Sequence, residues 1–394
     1  MEPSDVVLRF LDSVGRRSEA DFYLSLFRSE PKEQFAVISV DANVARHATE
    51  AVVLHLRFLA SLGLFPAVAL GLFEPTDAPE HAARIRRRLE RGAVPAILLA
   101  ASEPNLTDLV VQATKGGTLP IITFSAADGA TPEDRFARLA ALLTALQTRK
   151  LLFLHRPGGL RQGGVLQPLV TFGPESTTLL ASKDLSRKER AILVQSRRLI
   201  FELVPHKLII AVTSPLNLMR ELFTVKGAGT MLRRGAIIER RAGLEGTDQE
   251  RLRLLLASSF GRAPFETFFS RQFSRVYLEE SYRGAAILEE TPLGPYLTKF
   301  AVGREAQGEG LGRDLWDAMT TDDKTVFWRA RPTNPIIDWY TKLCDGLYRT
   351  PDWTVFWKGV APERISDAIA FALSQPVDMP AAAPEPAPAL PAAV

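Results

Sequence analysis

From Gln34 to about Ala211, short and largely apolar runs alternate with longer stretches of helical period. The runs are Phe35–Val40, Pro66–Leu70, Pro95–Ala101, Leu119–Phe124, Lys150–His155 and Lys207–Val212. They are continuous rather than alternating in polarity, the pattern of strands buried on both faces. Between the first two, Asn43–Leu62 repeats Val44, Ala48, Ala51, Val52, His55, Phe58 and Leu59 at helical spacing, and Gly63 follows as a C-cap. The alternation predicts an α/β domain around a largely parallel sheet. Ahead of it, Ser18–Phe27 sets Phe22, Tyr23, Leu26 and Phe27 on one helical face. That spacing predicts an N-terminal helix outside the sheet, whose aromatics need a partner surface.

Past the glycine-rich Lys226–Thr230 the pattern changes, and a boundary is expected near Gly235. A helix at Gln249–Ser258 precedes strands at Arg275–Leu278, Gly284–Glu289 and Tyr296–Val302, then a helix at Leu311–Thr320 and a strand at Thr325–Ala330. The expected organisation is a first domain over 1–235 and a compact α+β domain over 236–373. From Pro376 to Val394, within a tail of residues 374–394, the chain is almost all Pro and Ala, with Asp378 and Glu385 its only charges. Such a segment buries too little apolar surface to offset its ordering entropy, so it is expected to be disordered.

Composition trims the functional classes. Of 394 residues 24% are charged and 46% hydrophobic, the balance of a soluble globular chain. Net charge is only +3, from 48 Lys+Arg against 45 Asp+Glu, which argues against a nucleic-acid partner. Arg84, Arg86, Arg87, Arg88 and Arg91 lie beside Glu80 and Glu90 and read as a solvated helix face. The single Cys344 and five scattered histidines have no metal-ligand spacing, so no metal is expected and a reducing compartment is favoured. No apolar run approaches the roughly 18 residues of a membrane span. Glu2 and Asp5 stand where a targeting peptide would be basic, and the cytoplasm is the expected address.

One segment carries chemistry. The strand Tyr296–Val302 runs into Gln307-Gly-Glu-Gly-Leu-Gly312, and a helical stripe of Leu311, Leu315, Trp316 and Met319 follows. Strand, glycine loop and helix start form a layout for binding phosphate, because glycine lets the backbone approach an anion and the first amides of a helix point at it. A ligand-free glycine turn is the plain alternative. The dinucleotide fingerprint fails on glycine spacing, and no Gly-Lys-Ser/Thr follows. In Val326–Arg331 the period of two puts Arg329 and Arg331 on one face. Two cations side by side call for a dianionic ligand such as glutamate; the alternative is a pair of solvated arginines.

The spacing Gln-x-x-Gly-x-Gly resembles the acetyl-coenzyme A loop of the Gcn5-related N-acetyltransferases. Pro295–Val302, Phe327–Pro335, Asp338–Tyr340 and Trp353–Trp357 together resemble the acetyltransferase domain of N-acetylglutamate synthases of the vertebrate and bifunctional synthase/kinase type. The resemblance implies acetyl-coenzyme A held by Phe300, Ala301, Val302, Gln307, Gly308, Glu309, Gly310, Leu311 and Gly312. It implies L-glutamate held by Lys299, Arg329, Arg331 and Arg262, where the family commonly has lysine at the position of Arg262. It gives Asn334 a positioning role and places Tyr340 near the coenzyme sulfur. A turn residue and a core aromatic are the alternatives for these two. Acceptance of another acidic amino acid, or a non-catalytic arginine-sensing subunit, are the rival functions.

Lys150–Gly159, Thr213–Pro215 and Glu221–Thr230, with Phe35–Ile38, resemble the amino-acid kinase fold to which these synthases are fused. A kinase of this fold needs a lysine and glycines after the first strand to hold the transferring phosphoryl group. Here Ser39-Val-Asp-Ala42 stands instead, so kinase activity is expected to be absent. The resemblance also implies an L-arginine effector site at Tyr23, Glu221, Gly227, Gly229 and Thr230, and a homo-oligomer assembled through the first domain. A structural turn closing the sheet is the alternative reading of Glu221–Thr230.

Overall fold

The structure is a computed structural model, and it describes residues 17–29, 31–172, 174–224 and 227–380. The chain divides into two compact units, Met1–Gly235 and Ala236–Val394. Among the described residues no helix is long and apolar enough to cross a membrane.

The first unit carries β1 (Val37–Val40), β2 (Ala67–Leu70), β3 (Ala96–Ala100), β4 (Leu119–Thr123) and β5 (Lys150–Leu154). A small hairpin of β6 (Arg161–Gln162) and β7 (Val165–Leu166) follows, then β8 (Leu169–Phe172), β9 (Ile209–Thr213) and β10 (Thr230–Arg234). Eight strands form one sheet in the order β3-β4-β2-β1-β5-β9-β10-β8, parallel except for β9 against β10. The central strands are buried on both faces, as their unbroken apolar runs require. Ile38, Val68 and Leu152 face one layer of core, and Val37, Ala67 and Leu151 face the other.

The stretch Asn43–Leu62 is two helices, Ala42–His47 and Thr49–Ser61. Ala48 leaves helical geometry at φ −132°, ψ 23°, and the Thr49 hydroxyl turns back to the Ala45 carbonyl. The N-terminal helix spans Arg17–Ser29. Its Phe27 ring sits edge-on to Phe35 at 4.9 Å and to Phe223 at 5.7 Å, and Tyr23 and Leu24 are buried with it. The side chains of Phe22 and Leu26 lie outside the described ones.

The second unit has one seven-stranded sheet of β11 (Ile238–Arg241), β12 (Arg275–Glu279), β13 (Gly284–Glu289), β14 (Tyr296–Val302), β15 (Val326–Ala330), β16 (Gly346–Arg349) and β17 (Thr354–Lys358). The order is β11-β12-β13-β14-β15-β17-β16, antiparallel except for β14 beside β15. Two irregularities shape it. The register with β13 slips between Ile287 and Leu288, leaving Thr298 as an extra residue on β14. And β14 pairs with β15 only at Tyr296–Phe327 and Leu297–Trp328, so the two strands part beyond that point.

The segment expected to be disordered from residue 374 is engaged through Pro380. Met379 is buried, the Asp378 carbonyl accepts from the Phe265 amide at 3.0 Å, and the Asp378 carboxylate meets Lys299. Charge adds to the burial of Met379 in ordering the segment, because a buried ammonium needs a counterion. The remainder of that expectation, 381–394, lies outside the described residues.

Candidate active site

The loop between β14 and the helix Leu311–Asp322 holds Gly308 and Gly310 at φ 80° and 82°, a left-handed backbone that disfavours any side chain. Gly310 is the N-cap. Leu311, Leu315, Trp316 and Met319 are buried, so packing fixes the first helical turn where it stands. Among the described residues, the amides of Gly308, Leu311 and Gly312 donate to no other group. Orphan amides at a helix start are what a pyrophosphate requires. The Glu309 carboxylate is held by the Arg283 guanidinium at 3.0 Å, and the Gln307 amide donates back to the Arg304 carbonyl at 3.3 Å. Gly312 packs close to Phe300 and Val302. Because β14 has left β15 there, a strand edge opens that suits an extended, amide-bearing pantetheine arm.

The bulge at Thr298 decides which side chains share a face. Leu297 and Phe300 join the aromatic core beneath the helix Leu311–Asp322. Lys299 turns to the other face, where its ammonium lies 5.0 Å from the Phe268 ring centroid. Period-two alternation without the bulge would have put Leu297 and Lys299 together. Lys299 is buried and pairs with Asp378 at 2.5 Å; burial pushes its pKa down against the pull of that carboxylate.

Arg329 on β15 and Arg331, one residue beyond its end, meet the same ring, both guanidinium carbons lying 3.9 Å from the centroid of Trp353. An acidic group is nonetheless close by, since Arg331 lies 3.7 Å from the Asp352 carboxylate. Arg329 closes the C-terminal end of the helix Ile365–Ser374, donating to the carbonyls of Ala372 at 2.8 Å and Gln375 at 2.8 Å. Arg262 follows Gly261, the left-handed cap of the helix Gln249–Phe260. Its Nε is buried without a hydrogen-bond partner. Trp353, Arg271 and Asp378 join this group although sequence reading gave them no part in it. Asp378 carried a signal as one of two charges amid Pro and Ala, and Trp353 opened one of the blocks that carry the family resemblance.

Tyr340 lies on the opposite face. Its ring is 6.3 Å from Phe300 on β14 and 5.3 Å from Trp328 on β15, so it spans the parted strands. Burial drives the phenol pKa far upward. Asn334 sits in a turn before the helix Ile337–Leu343, its Oδ1 accepting from the Ile336 amide at 3.1 Å.

A family profile described as NAT, N-acetyltransferase, of N-acetylglutamate synthase, matches residues 239–373. The mouse (Mus musculus) protein named N-acetylglutamate synthase, mitochondrial, is 33% identical over 408 residues, covering 91% of this chain and 76% of the mouse one. The chain belongs to the N-acetylglutamate synthase family. A relative named acetylglutamate kinase, from Xanthomonas campestris, is 31% identical, with 87% of this chain and 94% of that one covered. The solved N-acetylglutamate synthase of Neisseria gonorrhoeae, complexed with coenzyme A and N-acetyl-glutamate, shares the fold at a TM-score of 0.50 and 14% identity, over 88% of this chain and 100% of that one.

Because kinases stand among the relatives of this synthase-family chain, the phosphoryl position matters. A cleft at the ends of β1, β2 and β5 is lined by Asp41, Gly71, Glu74, His155 and Lys188. A lysine does reach it, from the helix Arg187–Arg198 rather than from β1. Lys188 is neutralised by Asp41 and by Glu74, the latter at 2.8 Å. Asp41 also caps the helix Ala42–His47 through the Asn43 amide at 2.7 Å. The anionic surplus opposes a polyphosphate.

At the expected effector segment, Glu221 is buried and accepts from the Ala228 amide at 2.7 Å. Burial raises its pKa, while that amide and Lys150 pull it back. Gly227 adopts φ 62°, where a Cβ would meet Glu221 Oε2 at 2.8 Å, and a Cβ on Gly229 would meet the Val212 carbonyl oxygen at 2.2 Å. The Thr230 hydroxyl accepts from the Leu160 amide at 2.7 Å. Tyr23 is buried on the N-terminal helix, one turn before Phe27, which touches Phe223 beside Glu221.

Proposed function

We propose that this protein transfers the acetyl group of acetyl-coenzyme A to the α-amino group of L-glutamate, with no phosphoryl transfer in its first unit. The observation that carries this is the pairing of a helix-start amide cradle, beside an opened strand edge, with a cluster of cations on β14 and β15. In this reading Gly308, Leu311 and Gly312 hold the pyrophosphate, and the edge of β14 that β15 leaves beyond Leu297, where the Val302 amide donates to the Ser259 hydroxyl at 3.2 Å, aligns the pantetheine arm. Lys299, Arg329, Arg331 and Arg262 take the two carboxylates of glutamate and so orient its amine toward the thioester. Asn334 positions the reactants, and the Tyr340 hydroxyl donates a proton to the departing thiolate.

L-Arginine binds at Glu221, with Tyr23, Gly227, Gly229 and Thr230 around it. The protein assembles as a homo-oligomer through its first unit and works in the cytoplasm, where its lone Cys344 stays reduced. The deciding experiment measures thiol release from acetyl-coenzyme A by the purified protein with and without glutamate, and with aspartate as competing acceptor. Release that does not depend on glutamate overturns the reading. A preference for aspartate keeps the chemistry and changes the acceptor.

A further inference from the structure

The acceptor cluster already holds a carboxylate. The Asp378 side chain lies 2.5 Å from the Lys299 ammonium and 3.5 Å from Arg271 Nη1. The same stretch of chain occupies Arg329, whose Nη2 donates to the carbonyls of Gln375 at 2.8 Å and Pro376 at 3.0 Å. Two of the four cations assigned to glutamate are thus engaged by the four-residue stretch Gln375–Asp378.

We propose that Asp378 is an internal stand-in for one carboxylate of the acceptor, that Arg271 and Lys299 form the subsite it fills, and that glutamate binds by displacing it. This rests on the acetyltransferase reading above. A buried ammonium is costly without a countercharge, so any carboxylate entering here must replace an existing one rather than add to it. The present occupant suits replacement. It comes from a segment without regular secondary structure, four residues beyond the helix Ile365–Ser374, and besides its ion pairs is held by one amide, by carbonyl contacts and by the buried side chain of Met379. Releasing it costs local order only, and Lys299 stays paired throughout the exchange. The incoming side chain has the same carboxylate on a stem one methylene longer. Arg271 is anchored by Glu289, which presents its guanidinium to whichever carboxylate is bound.

The test is initial-rate kinetics on the full chain, with thiol release followed against glutamate and acetyl-coenzyme A separately. Asp378→Asn is expected to lower KM for glutamate about fivefold with kcat and KM for acetyl-coenzyme A unchanged, as removal of a competitor that closes the site most of the time requires. Arg271→Gln is expected to raise KM for glutamate about tenfold, and Arg271→Lys to restore part of it. Should Asp378→Asn fail to fold, Pro376→Gly/Val377→Gly loosens the segment without touching any charge and should lower KM in the same direction. An unchanged or raised glutamate KM in the folded Asp378 variant, or in the glycine variant, makes the segment a structural strap and overturns the proposal. A parent enzyme whose thiol release ignores glutamate instead brings down the acetyltransferase reading on which it rests.

Discussion

The ring of Tyr340 meets that of Trp328 edge to face at 5.3 Å, on the side of β15 opposite the one that carries Arg329. A buried phenol therefore approaches the parted strands from one face of the sheet while Lys299 and Arg329 lie on the other.

That arrangement suits Tyr340 to proton donation. Tyr340→Phe keeps the ring packing and loses only the hydroxyl, so kcat should fall about a hundredfold, the lower range for a general acid, with both KM values and the melting temperature nearly unchanged. Burial raises the phenol pKa above its ordinary value, so Tyr340 stays protonated well past the usual tyrosine range of about 10. The pH–rate profile of the parent should show no falling alkaline limb from this residue. A falling limb that disappears in Tyr340→Phe contradicts the assignment.

Arg331 and Arg329 should separate in a mutant pair. Arg331 is partly exposed and holds little structure, so Arg331→Ala should raise KM for glutamate about tenfold to a hundredfold and leave stability alone. Arg329 also closes a helix end, so Arg329→Ala should show the same kinetic defect together with a lower melting temperature. Parent-like glutamate dependence in both variants excludes the pair from the acceptor site.

Gly310 caps the helix Leu311–Asp322, proposed to hold the coenzyme pyrophosphate, at φ 82°. Gly310→Ala forces a side chain into left-handed geometry at a cost of about 1–2 kcal/mol, and relief of that strain moves the amides that follow. KM for acetyl-coenzyme A is expected to rise about tenfold, with KM for glutamate little changed. An unaltered coenzyme KM means that the cradle does not hold the pyrophosphate.

The first unit is expected to form no acyl phosphate from N-acetylglutamate and ATP. Lys188 is the cation closest to a phosphoryl role, and Asp41 and Glu74 hold it. ATP-dependent hydroxamate formation by the purified chain, lost in Lys188→Ala, is the contrary result.

Glu221, at the proposed effector site, allows arginine binding and stability to be tested together. Its folded pKa is raised, chiefly by burial, so folding favours the neutral acid. The associated stability is fully present below the unfolded value of about 4.3 and is lost as pH rises through the folded pKa. Glu221→Gln mimics the neutral form and keeps an acceptor for the Ala228 amide. Its melting temperature relative to the parent should therefore improve as pH rises through that window, while arginine binding by calorimetry disappears. Undiminished arginine binding removes Glu221 from the effector site.

Much of the architecture was legible because its causes are local. Unbroken apolar runs marked six strands of the first sheet to within two residues, since a strand buried on both faces tolerates little else. Glycine spacing at Gly308 and Gly310 located the cradle, because only glycine takes that backbone easily. Alternation put Arg329 and Arg331 on one face. What tertiary structure decided was pairing across long separations. The bulge at Thr298, which turns Lys299 away from Leu297, exists only in register with β13. Lys188 reaches the kinase-like cleft from a helix more than a hundred residues after Asp41. Asp378 looked like a stray charge in a Pro/Ala segment. It became a partner of Lys299 only once β14 buried an ammonium that had to be neutralised, and no local pattern encodes a counterion supplied from 79 residues away.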